Sequence, residues 1–199
     1  MKTLSPKTLT VILLIALLSS SCLTQRRTVK RVSPDQQIDI SGRWNDTDSK
    51  LAAEALIDQV LNQPWIERFR QENQRKPVVI VGLVRNKSHE HISAETFIKD
   101  IEKQFVKSQT VRLVQAGDKR EELRGERADQ QEFASPETTK KWGRELGADF
   151  MMQGTINSIV DNYQNEKVVY YQVDLELTNL ETNEIIWMGD KKKKKYINN

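Results

Sequence analysis

Apolar residues recur along this chain with two different periods, and the change falls near residue 150. Before that point the spacing is helical. Leu51, Ala52, Ala55, Leu56 and Val60 repeat every three to four residues behind Asp48, which can cap a helix there. Asn62-Gln63-Pro64 interrupts it, and Pro64 suits the first turn of a second piece carrying Trp65, Ile66 and Phe69. The short apolar run Val78 to Val84 predicts a strand buried on both faces. Ser93 caps a helix with Phe97, Ile98, Ile101 and Phe105 inward, and Val111 to Val114 gives a second short strand. Ser135-Pro136 opens another helix, with Trp142 and Leu146 inward and Gly147 as its stop.

After residue 150 the period is two. Phe150 to Val160 reads as a strand and Asp161 to Glu166 as turn material. Val169, Tyr171, Val173, Leu175 and Leu177 then alternate with Gln172, Asp174, Glu176 and Thr178, so one sheet face is wet. Glu181-Thr182-Asn183 turns the chain into Ile185 to Met188. Three strands joined by short turns make an antiparallel meander. The expected class is α/β: a mixed sheet with a C-terminal antiparallel meander, flanked by helices.

The first 22 residues follow a separate logic. Lys2 and Lys7 precede an apolar stretch from Leu9 to Leu18, then Ser19-Ser20-Ser21-Cys22. A basic start, about ten apolar residues and small residues at a cleavage site make a bacterial export signal. The placement of Cys22 resembles a lipobox, in which the thiol takes a diacylglycerol; an ordinary cleavage site beside a free thiol is the other reading. Several acyl chains anchor durably where one does not, since each buried CH₂ contributes about 0.8 kcal/mol. Leu23 after the Cys, rather than Asp, implies the outer membrane. The expected organisation is a signal peptide over residues 1–21, a lipidated N-terminus and polar tether over 22–47, and a globular domain over 48–199. Twenty-five tether residues would reach roughly 85 Å fully extended, or about 30 Å as a coil.

Charge narrows the function. The 199 residues carry a formal +3, but Lys2, Lys7, Arg26, Arg27, Lys30, Arg31 and Lys191 to Lys195 supply much of the positive side. Between residues 33 and 190 there are 20 basic residues against 28 acidic ones, a net of −8. A nucleic-acid binder needs a basic face to displace counterions, so nucleic acid is excluded as a partner. A single Cys excludes an internal disulfide and a multi-thiolate zinc site. No apolar run reaches 18 residues, which excludes a bilayer-spanning bundle.

Catalytic signatures are missing: no G-x-S-x-G elbow, no Walker loop and no H-E-x-x-H stands in the sequence. His89 and His91 are two apart, a spacing that diverges on a helix. An exposed loop is favoured over a surface ion site, and neither metal nor cofactor is expected. Arg120 to Phe133 is nearly all polar, with Leu123 and Phe133 its only large apolar groups. It reads as a solvated helix or loop, or as a partner surface built from Arg124, Arg127, Gln130, Gln131 and Phe133. Lys191 to Lys195 can continue the last strand, with charges that block edge pairing, or can touch lipid or polymer.

The chain resembles the LpoB family of penicillin-binding-protein activator lipoproteins. The resemblance runs through SGRWNDTDSKLAAEALIDQVL, PWIERF, PVVIVGLVRNKSHEHI, RGERADQQEFASPETTKKWGRELGADFMMQGTI and YYQVDLELTNLETNEIIWMGDKK, from residue 41 to 193. It implies a sheet flanked by helices, like the N-terminal domain of TolB. It also implies a monomeric, palmitoylated outer-membrane lipoprotein without its own active site, which docks on a class A penicillin-binding protein and raises peptidoglycan synthesis. The competing expectations are an assembly lipoprotein of an envelope secretion or curli-like export complex, and an envelope hydrolase.

Overall fold

The computed structural model describes residues 28–34, 36–138 and 145–198. The chain divides into two units, Met1–Gln36 and Gln37–Asn199. In the first, residues 28–34 are exposed, and the Gln36 N–H donates to the Ser33 carbonyl at 3.0 Å. The expected export signal and Cys22 lie outside the described residues. Residues 37–47, read from their polarity as tether, belong to the second unit. Polar hydrogen bonds rather than apolar contacts hold much of that stretch, which is why hydropathy missed it.

Helix α1 (Asp46–Leu61) starts two residues before the expected cap. Asn45 is the cap: its side chain accepts the Asp48 N–H at 3.0 Å, and the Asp48 carboxylate accepts the Asn45 N–H at 3.2 Å. Asp48 is the third helical residue of this reciprocal box. The buried face is Ala52, Ala53, Leu56, Ile57 and Val60, whereas Leu51 is 44% exposed. Ala53 and Ile57 shift the inward stripe past Leu51. Helix α2 (Trp65–Asn73) follows Pro64 as expected, with Trp65 and Phe69 edge-on to Phe150 at 5.0 and 5.4 Å.

Strand β1 (Val78–Asn86) leads to helix α3 (Ala94–Ser108), whose cap Ser93 accepts the Thr96 N–H. Phe97, Ile101 and Phe105 of α3 are fully buried; each side chain of this size stabilises by about 1.5–3 kcal/mol. Strand β2 (Arg112–Val114) and helix α4 (Gly117–Phe133) come next. The helix expected from Ser135 is not continuous: Pro136 sits in a turn, residues 139–144 with Trp142 lie outside the described residues, and 145–148 are irregular. Leu146, expected inward, is 42% exposed.

Strands β3 (Phe150–Tyr163), β4 (Glu166–Asn179) and β5 (Ile185–Asn198) form the meander. The sheet order is β2-β1-β3-β4-β5, with β1 parallel to β2 and β3 and the remaining pairs antiparallel. Asp161, Asn162, Tyr163 and Glu166 are strand, not turn, because Tyr163 pairs with Glu166 and leaves a two-residue loop. Gln164 supplies the positive φ, 51°, that this tight loop requires. Strand β1 is buried through Val81 but bulges between Val81 and Val84, and Leu83 is turned out at 67% exposure. Helices α1 and α3 pack together on the face carrying Val169, Tyr171, Val173, Leu175 and Leu177. The molecule is therefore a mixed five-stranded sheet flanked by helices.

Candidate functional site

Helix α4 carries the contact residues singled out in the sequence, and it buries none of its side chains. Its polarity offers the core nothing, so local pairs shape its surface. Arg124 grips Glu145 through Nε at 2.9 Å and Nη2 at 2.8 Å, while its Nη1 reaches Glu121 at 2.5 Å. Arg127 donates to the same Glu145 carboxylate at 2.8 Å. The Arg124 hydrogen bonds, joined by those of Arg127, hold the Glu145 carboxyl at about 2, well below its ordinary value. Gln130 donates to Glu126 one turn back at 3.0 Å, and Gln131 is exposed. Phe133 ends the helix 78% exposed. Arg124, Arg127 and Gln130 thus share one stretch of helix surface, with an apolar ring at its end. Glu145 carried no signal in the sequence, since nothing in its neighbourhood marks it as the partner of an arginine about twenty residues earlier.

The terminal lysine run is strand, as its continuation of β5 predicted, and β5 is an edge of the sheet. Lys195 is buried and reaches Asp48 at 2.5 Å, Asp39 at 2.9 Å and the Arg43 carbonyl at 2.8 Å. Burial works against its charge, but the hydrogen bonds to Asp48 and Asp39 raise its pKa above the ordinary lysine value. Asp39 is held at about 2 by the Gln37 amide and by Lys195. Lys193 lies 3.2 Å from the other Asp48 oxygen.

His89 and His91 occupy a loop after β1. His89 Nδ1 lies 2.7 Å from the Ser158 hydroxyl and its Nε2 3.2 Å from Glu90. Glu90 also accepts the Tyr171 hydroxyl at 2.7 Å and the Trp44 N–H at 3.1 Å. Burial, then the bond to Glu90, raises the Tyr171 pKa. This knot ties the entry of α1 to β3 and β4. Among the described residues no group of three or more His, Cys, Asp or Glu side chains is placed to hold a metal, and no helix is long and apolar enough to cross a membrane.

At the start of β3, Asp149 takes a bidentate pair from Arg75 at 2.6 and 2.7 Å and the Val78 N–H at 2.8 Å. The open sheet face holds a depression of about 620 Å³ lined by Leu83, Arg85, Met151, Thr155, Glu176 and Met188. It presents the Asp174 and Glu176 carboxylates and the Arg85 guanidinium beside apolar groups.

A family profile described as "Peptidoglycan-synthase activator LpoB" matches residues 48–193. Among solved structures, the C-terminal domain of LpoB from Escherichia coli is 18% identical, with a TM-score of 0.43, covering 76% of this chain and 99% of that one. The corresponding domain from Salmonella enterica is 17% identical, with a TM-score of 0.42, covering 73% and 98%. Lipoprotein GNA1162 from Neisseria meningitidis is 10% identical, with a TM-score of 0.40, covering 60% and 83%. Comparison with curated proteins gives no match.

Proposed function

The chain belongs to the LpoB family of peptidoglycan-synthase activators, and from that membership we propose that it binds a class A penicillin-binding protein and raises its activity. The observation that supports this reading is the extent of the match, residues 48–193, which takes in four strands whole, most of β5 and nearly all of the helical body. The family is one of regulators, and the polar surfaces described above are suited to recognition.

The proposed working arrangement has three parts. Cys22 carries the lipid that fixes the chain to the outer membrane. Residues 23 to 36 and whatever part of the entry segment yields provide reach across the periplasm. The globular body docks on the synthase, with Arg124, Arg127, Gln130, Gln131 and Phe133 of α4 as its contact surface. Activation requires that the body bind the synthase's active conformation better than the inactive one, a coupling that typically amounts to about 1–3 kcal/mol. No group on the activator has to enter the synthase's chemistry.

The test combines capture with reconstitution. The immobilised protein is exposed to detergent-extracted membranes of its own cell, and any penicillin-labelled band retained is assayed for glycan polymerisation with and without added protein. Retention with a several-fold faster rate is the expected result. Absence of any penicillin-binding band, under conditions that capture other envelope proteins, would turn the assignment toward an assembly lipoprotein of an export complex.

A further inference from the structure

Strand β5 is 14 residues long and lies at the end of the sheet. Among the described residues, nothing pairs with its outer side. An edge strand directs half of its backbone N–H and C=O groups away from its neighbour, ready for another strand. Beside this edge, between β5 and α1, runs a groove of about 470 Å³. Its floor includes Trp44, Leu51, Ala52 and Ala55, and Leu51 contributes an apolar side chain 44% exposed. An open strand edge next to a helix-walled groove is the geometry in which an extended peptide adds to a sheet and sets alternate side chains against the helix.

The charges around the edge select among occupants. Successive β5 side chains point to opposite faces. Lys193 and Lys195 point to the α1 side, where both reach Asp48. Lys192 and Lys194 therefore stand over the other face, both exposed. Lys194 has no ion-pair partner among the described residues, and Lys192 has only the exposed Asp190 at 3.4 Å. The groove side sets Glu54 and Asp58 on its α1 wall against Lys191 and Lys193 on its β5 wall, so neither sign of charge is favoured there over an apolar side chain. A second copy of this strand would set lysine against lysine, which costs energy across a strand pair.

We propose that the outer edge of β5, with the groove between it and α1, docks an extended peptide segment of a partner protein in which acidic and aliphatic residues alternate. The acidic residues lie over Lys192 and Lys194, and the aliphatic ones enter the groove against Leu51 and Ala55. The lysines then serve as selective recognition groups as well as a barrier to self-pairing. This inference stands apart from synthase activation, and its test contains no synthase.

The probe is a labelled alternating Val-Glu decapeptide, titrated by fluorescence anisotropy onto the full chain in detergent micelles. Expected are saturable binding, slowed amide exchange over residues 185–194, and no binding of the matching Val-Lys peptide. Two further peptides, N-methylated at all valine amides or at all glutamate amides, separate strand addition from simple charge attraction. One of the two must bind about tenfold or more weakly, because its methyl groups face the ladder. The pair Lys192→Glu and Lys194→Glu should weaken the parent peptide about tenfold without moving the unfolding midpoint. Equal binding of both N-methylated peptides, or no binding of the parent peptide, would overturn the proposal, and neither result depends on the lysine variant folding.

Discussion

Lys195 Nζ lies 2.5 Å from Asp48 Oδ2, joining the last strand of the sheet to the first turn of its first helix. Both residues are buried, at 8% and 4% exposure. Asp48 also completes the capping box of α1, so one carboxylate serves the helix start and the strand end. Replacing Lys195 with Met leaves that carboxylate with the Asn45 N–H and, among the described residues, Lys193 as its one cation. Removing one partner of a buried pair costs about 3–5 kcal/mol, and the remaining lysine places the expected loss at the lower end. The unfolding midpoint in a thermal melt should fall by roughly 6–12 °C for a domain of this size. A shift below two degrees would show that the pair is dispensable.

Asp149 gives the fold a dependence on acid. Burial acts to raise its pKa, yet the Arg75 pair and the Val78 N–H hold it below the ordinary aspartate value. A carboxyl depressed in the folded state stabilises fully above its unfolded pKa, and that contribution is lost as pH falls through the folded value. Asp39, held at about 2, acts in the same direction. Asp149→Asn should cost about 1–3 kcal/mol at neutral pH. Urea midpoints for the two proteins should converge as pH falls from 4 towards 2. A constant gap across that window would contradict the assignment.

Two glycines predict opposite outcomes. A Cβ on Gly154 would lie 2.1 Å from the Asp174 carbonyl oxygen, part of the neighbouring strand's backbone. Gly154→Ala should destabilise by about 1–3 kcal/mol or more, since backbone cannot yield as a side chain can. Gly125 on α4 faces open space. Gly125→Ala should stabilise by up to about 1 kcal/mol, through the helix preference of alanine. Chemical denaturation of the pair gives the comparison directly.

The α4 surface is tested by alanine at Arg124, Arg127 and Phe133 together. Because the helix buries nothing, the triple variant should keep its global stability within about 0.5 kcal/mol. Affinity for the captured synthase should fall about tenfold or more if these residues form the contact. Affinity unchanged within about twofold would remove α4 from the interface.

Cys22→Ser addresses the anchor. Mass spectrometry of the mature protein should lose the acyl mass, and the chain should move from the membrane fraction to the soluble one. Retention of the variant in membranes would mean that another segment holds it there.

The helices and the meander were legible because their apolar residues keep a strict period. Phe97, Ile101 and Phe105 mark α3, and the five alternating residues of β4 mark its inner face. Polar pairs carried no such rhythm. Asn45 displaced Asp48 as the cap because the reciprocal bonds of the box decide that position. Asp161 and Asn162 looked like turn residues, yet the ladder absorbed them. Of the candidate surface, the exposure of Phe133 could be read from its polar surroundings, but the shared grip of Arg124 and Arg127 on Glu145 depends on a fold-back that no local pattern announces. Family resemblance reached further than periodicity, since it rests on the order of many segments at once.

The contacts of Lys195 have a mechanical consequence. Tension on the polypeptide ahead of residue 37 meets the body first at Asp39 and Arg43, and both are fastened to Lys195 on β5. Asp39 also accepts the Asn45 side-chain amide at 2.7 Å, so the load divides between the long outer strand and the cap of α1. β5 is joined to β4 by an antiparallel ladder extending from Ile185 to Asn198. A pull along the strand strains many of those bonds together, whereas a pull across it opens them one by one. The direction in which the body is held would then set how much load it withstands, and Lys195 and Asn45 are the points where that load is received.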